Sequence, residues 1–240
     1  GIKFALGENP KSYYTERDDA PQTRMATAAL IREALEKARR YMVLTERAEE
    51  PEDLPDYDIK CEALIPLLKG EVKAHIHCHR ADDITTALRI CKEFGLKPLL
   101  IHCTEGHFIA DLLGEAHAEA VVGPIICDRG KPELAHASLE NAGKLCAAGV
   151  KTAICTDHPE TPINFLTAGA AYCCKYGMPK NEALKGLTIT AAELGGFADR
   201  TGSVTVGKDA DLILLDDDPF EIMTNVCMTM INGKIVFERK

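Results

Sequence analysis

Short apolar runs along this chain alternate with longer segments in which apolar residues recur every three or four positions. The runs IKFAL (2–6), VKAHIH (72–77), KPLLIHC (97–103), AEAVVGP (118–124) and VKTAICTD (150–157) have the length of strands. Helical spacing marks MATAALIREALEKARRYMVLTERA within residues 21–48 and, past a Pro- and Asp-rich link at 49–58, IKCEALIPLLKG. It returns in ADDITTALRICKEFG (81–95), GHFIADLLGEA (106–116), residues 132–149 and INFLTAGAAYCCKYG (163–177). GENP (7–10) reads as a turn closing the first strand. Repeated strand–helix units predict a parallel sheet with right-handed crossovers. A closed (β/α)₈ barrel needs eight strands in roughly 250 residues. Five strands predict an α/β fold that is either a partial TIM-type (β/α) barrel or an open sheet.

Beyond residue 200 the texture changes. TGSVTVGKDADLILLDDDP and CMTMINGKIVFERK are short alternating segments broken by Gly and Asp, and INGKIVF holds the Asn-Gly pair of a tight hairpin. Two regions are expected: a βα region at 1–200 and antiparallel strands at 201–240.

Composition narrows the functions. At 240 residues and 46% hydrophobic, the chain has enough apolar material for one large core or two smaller ones. Its net charge of −9 and the lack of any Lys/Arg block argue against nucleic acid and anionic membrane surfaces as partners. No apolar run is as long as a membrane span. The ten cysteines sit mostly in apolar stretches at irregular spacing with no CxxC pair, which fits reduced thiols in a cytoplasmic protein.

The candidate chemistry lies at strand ends, which face the active-site mouth in parallel α/β folds. In AHIHCHRADD (74–83), alternation sends His75, His77 and His79 to one side. That spacing alone leaves two readings open, structural histidines of a solvated edge strand or a metal or catalytic site. The other strand ends carry Glu8 and Asn9, His102, and Asp157 with His158. Imidazole and carboxylate together suit a catalytic zinc or similar divalent ion.

The chain resembles the metal-dependent amidohydrolase superfamily, most closely its imidazolonepropionase- and prolidase-like branch. The resemblance rests on HCHRADDITTALRICKEFGLK, LLIHCTEGHFIADLL, AICTDHPETPI and TGSVTVGKDADLILLDDDPFE with INGKIVFE, in that order. It implies barrel strands of about four to eight, followed by a small antiparallel β segment of a composite sandwich. The family's N-terminal sandwich half and first strands, with their HxH ligand pair, have no counterpart in these 240 residues.

The resemblance makes His77 and His102 metal ligands and Asp157 a ligand that also shuttles a proton, the three converging at one end of the sheet. His102 is alternatively a group that polarises the substrate carbonyl. His79, Arg80, His107 and His158 are expected to meet substrate or support a ligand, and Glu105 has no assigned role. His75 is expected to be an interior structural residue. Glu8 is a weaker candidate for a bridging carboxylate, with Lys3 behind it.

The implied activity is hydrolysis of a C–N bond in an amide, cyclic amide or dipeptide by water activated on one or two divalent ions, with zinc the expected metal. The alternative is a catalytically incompetent fragment or a non-catalytic homologue. The expected partners are a small-molecule amide and either a second copy or a complementing N-terminal half. Turnover by this chain alone is not expected.

Overall fold

The computed structural model describes residues 1–240. Its contacts divide the chain into two compact units, Gly1–Cys103 with Lys131–Ala135, and Thr104–Gly130 with His136–Lys240.

In the first unit, β1 (Ile2–Ala5), β2 (Ala74–Cys78) and β3 (Pro98–His102) pair in parallel, with Phe4 beside Ile76 and Ile76 beside Leu100. Between β1 and β2 run α1 (Glu8–Thr15), α2 (Arg24–Arg47) and α3 (Ile59–Leu68), and α4 (Ala81–Phe94) joins β2 to β3. Local signals set these boundaries. Thr23 caps α2 by accepting the Ala26 N–H, and Asp58 caps α3 by accepting those of Lys60 and Cys61. Gly95 ends α4 in the left-handed conformation. Leu6, Leu35, Ile76, Ile84 and Leu100 are buried.

In the second unit, β4 (Glu119–Val122) and β5 (Lys151–Ile154) pair in parallel. The helices are α5 (Ala110–Glu115), α6 (Asn141–Ala147), α7 (Leu166–Lys175), α8 (Lys180–Leu187) and α9 (Ile189–Gly195). Then β6 (Leu212–Leu215), β7 (Val226–Ile231) and β8 (Lys234–Glu238) form an antiparallel sheet. Asn232 and Gly233 join β7 to β8 with φ of 50° and 75°, the two positive values a tight hairpin of this hand requires.

The five parallel strands fall where the apolar runs predict them. Four local expectations differ. The helix expected over 106–116 is a 3₁₀ turn at Gly106–Phe108 followed by α5, because Ile109 leaves the helical conformation at φ −129°. GENP does not merely turn: Gly7 ends the strand at φ 83°, and Glu8 opens α1, with Pro10 early enough to leave the helix intact. The helix expected over 132–149 is broken into a single 3₁₀ turn at Pro132–Leu134 and the shorter α6. Helices α8 and α9 were not anticipated; Pro179 precedes the first and Gly196 closes the second. The texture change near residue 200 marks the passage from helices to antiparallel strands, whereas the compact units divide at other positions. No helix is long and apolar enough to cross a membrane.

Candidate metal centre

Strand β2 carries Ala74, Ile76 and Cys78 on one face and His75 and His77 on the other, and His79 follows at the strand end. The rings of His77 and His79 lie 4.7 Å apart between centroids. His102, at the end of β3, completes the group at 4.5 Å from His77 and 4.6 Å from His79. One nitrogen from each ring fits within a set in which every pair is no more than 4.8 Å apart. All three residues are buried.

The membership of His102 does not follow from register, because its partner across the ladder is Cys78, on the opposite face from His77. At His102 and Cys103 the backbone turns left-handed, with φ of 73° and 49°. Such conformations are costly for residues other than glycine and gather at functional sites. Here the departure from extended backbone accompanies the ring's presence in the cluster.

Burial keeps the His77 and His79 imidazoles neutral. It pushes His77 down to about 3, helped by the nearby His102, Lys3 and Lys131, and His79 down to about 2, helped by His102 and His77. A neutral imidazole keeps the lone pair that a metal needs. Asn9 Nδ2 approaches His77 Nε2 at 3.4 Å, and Lys131 Nζ holds Asn9 Oδ1 at 2.8 Å.

Next to the cluster lies a carboxylate network. Arg24, in the first turn of α2, donates from Nε to Asp83 at 3.0 Å and from Nη2 to Glu8 at 2.9 Å. The Glu8 N–H donates to Glu133 Oε2 at 2.7 Å. Glu133 Oε1 is buried with no hydrogen-bond partner and lies 3.8 Å from His79 Nε2. Burial raises the Asp83 and Glu133 carboxyls. At Glu8 burial also opposes ionisation, but hydrogen bonds from Lys11 and Arg24 outweigh it and lower that carboxyl.

The histidine set and its orphaned carboxylate oxygen fit a divalent cation with mixed nitrogen and oxygen ligands. His77 and His102 are thus brought together as expected, and His79 joins them. Glu8 is engaged with Lys11 and Arg24. His75 lies deeper in β2, half-buried and in register with Lys3. Arg80 precedes α4 and makes two hydrogen bonds of 3.0 Å to Asp82.

The other expected residues belong to the second unit. Asp157 is exposed beyond β5 with φ 50°. His158, exposed beside it, accepts the Ile163 N–H at 3.3 Å. The His107 N–H donates to Asn141 Oδ1 at 2.9 Å, and its ring nitrogen Nδ1 lies 3.2 Å from the Thr104 carbonyl. Glu105 accepts a 2.7 Å hydrogen bond from His136.

Sequence reasoning passed over Arg24, Asp83 and Glu133. Acidic residues at the start of a helix are ordinarily exposed partners of its dipole, and that is how both carboxylates read in one dimension.

The model of the Amidohydrolase family matches residues 19–236. The chain belongs to that family. Among solved structures it is similar to an amidohydrolase from Thermotoga maritima MSB8, with 40% identity and a TM-score of 0.93 over 100% of this chain and 63% of that one. Among curated proteins it is similar to amidohydrolase tasK of Hapsidospora irregularis, 28% identical over 99% of this chain and 26% of that protein. An imidazolonepropionase of Maricaulis maris is 36% identical over 38% of this chain and 23% of its own length. This family member therefore spans less than two thirds of each of these relatives.

Proposed function

We propose that this chain contributes to a metal-dependent hydrolase of C–N bonds in small amides, cyclic amides or dipeptides. His77 and His102 would hold a divalent ion, zinc in this reading, with His79 beside them. The buried three-histidine cluster, with His77 and His79 held neutral, carries this proposal. When bound, the ion supplies Lewis-acid activation of water and of the substrate carbonyl.

The chain's own residues do the rest. His77 and His79 present lone pairs without adding positive charge. The rigid ends of β2 and β3 hold His77 and His102 in place. Asp157 takes a proton from the attacking water and gives it to the departing nitrogen. Its place beyond the carboxyl end of β5, open to solvent, supports that role. Arg80, His107 and His158 are the proposed groups that meet substrate or steady its ligands.

In family terms the parallel strands would be the fourth to eighth of a barrel within residues 1–200. Residues 201–240 would be the C-terminal share of a composite sandwich. A second copy or a complementing N-terminal half is the proposed protein partner, supported by β8, exposed along its whole length at a sheet edge. Ten free cysteines support a reducing compartment, the cytoplasm.

The test begins with metal content. After incubation with Zn²⁺ and gel filtration, the wild-type chain should retain zinc, and His77→Ala and His102→Ala should not. A wild type that retains none would sink the proposal. Any turnover on N-acyl amino acids, Xaa-Pro dipeptides or cyclic amides should fall at least about 100-fold in Asp157→Asn.

A further inference from the structure

We propose that Glu133 belongs to the cation site, its Oε1 acting as a carboxylate ligand beside His79. This rests on reading the histidine cluster as a cation site, and it adds a residue from the segment Lys131–Ala135.

Four observations carry it. First, the Glu133 side chain is 0% exposed and its Oε1 has no hydrogen-bond partner. Leaving a buried acceptor unmade is costly, so such an atom in a folded protein calls for an explanation.

Second, the other oxygen is anchored. Oε2 accepts the Glu8 N–H at 2.7 Å and has Arg24 Nη2 at 4.0 Å. Arg24 directs its hydrogen bonds to Asp83 and Glu8, so it leaves Oε1 unmet. The carboxylate is thereby fixed with Oε1 turned to His79.

Third, the separation from His79 Nε2 is 3.8 Å. That is too long for a hydrogen bond. Two ligand atoms each about 2.0–2.2 Å from one ion can stand up to about 4 Å apart. The distance therefore suits two ligands of one ion better than a bonded pair.

Fourth, the backbone makes room for this carboxylate. A Cβ at Gly7 would stand 2.4 Å from Glu133 Oε2, and Gly7 has φ 83°. Only glycine meets both conditions without strain.

The charge balance agrees. Imidazole ligands carry no negative charge to offset a buried divalent cation, whereas a carboxylate at Glu133 brings one. Histidine with carboxylate suits Zn²⁺, Mn²⁺ or Fe²⁺, and not the all-oxygen sites of Ca²⁺ or Mg²⁺.

The experiment uses the 240-residue chain with Zn²⁺ or Co²⁺ as the probe. Zinc affinity is read by competition with a chromophoric chelator, and the ligand set by the visible absorption of the Co²⁺ form. Glu133→Gln, which keeps the shape and removes the charge, should weaken zinc binding at least about tenfold and change the Co²⁺ spectrum. Glu133→Asp should show a smaller loss and carries the test if the Gln variant does not fold.

A crystal structure of the zinc-loaded wild type reads the same point without a substitution. Oε1 should lie about 2.0–2.2 Å from the ion. An ion held by histidines alone, with water on Oε1, overturns the proposal. So does a Glu133→Gln chain with wild-type affinity and an unchanged Co²⁺ spectrum, and either result leaves the histidine site standing. A wild type that binds no zinc overturns both.

Discussion

Strands β2 (AHIHC) and β8 (KIVFE) are equally short, yet the protein uses them in opposite ways. Around β2, Ile76 and Cys78 are buried on one face and His77 on the other, and the polar groups Asp83 and Glu133 are closed in beside them. Along β8 every residue is exposed, and Ile235, Val236 and Phe237 are each about half accessible. Alternation gives the period of a strand. It does not say which faces are covered. Cover holds His77 and His79 neutral and close beside His102, while the apolar residues of β8 stay at the surface.

Four pairs of measurements would break or sharpen that contrast. The largest difference is expected between cores. Leu100→Ala should cost about 4 kcal/mol in urea unfolding, because Leu100 is wholly buried. Ile235→Ala, at 54% exposure, should cost less than about 1 kcal/mol. Equal losses would mean that the tail sheet is covered in solution.

The next contrast sets two arginines against each other. Arg24→Ala leaves the buried Asp83 and Glu133 without their cation and should cost about 3 kcal/mol. Arg200→Ala removes an exposed pair with Asp209 and should cost at most about 1 kcal/mol. Chemical denaturation of both variants checks the ratio.

Two glycines share a positive φ but not their surroundings. A methyl at Gly233 meets nothing within 4 Å, and at Gly7 it meets Glu133. Gly233→Ala should cost about 1 kcal/mol and Gly7→Ala about 2. Matching values from thermal melts would show that Glu133 yields easily.

The last contrast is the slope of stability against pH in the metal-free chain. His77 and His79 have folded values of about 3 and about 2, below the ordinary histidine value. As pH falls below about 6.5, the unfolded chain takes up protons that the folded chain does not. Stability should therefore decline towards acid by about 1 kcal/mol per pH unit for each ring. The raised carboxyls of Asp83 and Glu133 oppose this just above their ordinary values, where the folded chain binds the extra proton. His77→Gln with His79→Gln should flatten the slope. An unchanged slope would mean that the rings are not held neutral by burial.

The parallel strands and the Asn-Gly hairpin were legible because each rests on local chemistry, an apolar run or a residue tolerant of positive φ. His77 was legible by alternation. His102 was legible as a strand end, although its register with Cys78 would have sent the ring to the other face. Glu133 was not legible: Pro132 and its neighbours read as the first turn of a helix, where a glutamate is ordinarily solvated. The break after Leu134 instead leaves that carboxylate buried beside Gly7 and His79.

By itself, then, the sequence determined the order of strands and helices, the hairpin at its end and the supply of imidazoles on one side of β2. These follow from periodicity and from backbone preferences that act over a few residues. Tertiary structure decided which side of each strand is covered, the left-handed turn at His102, and the meeting of Arg24, Asp83 and Glu133 from three distant stretches. Those depend on contacts between residues far apart in the chain, where burial changes the cost of a charge, and no local pattern encodes that cost.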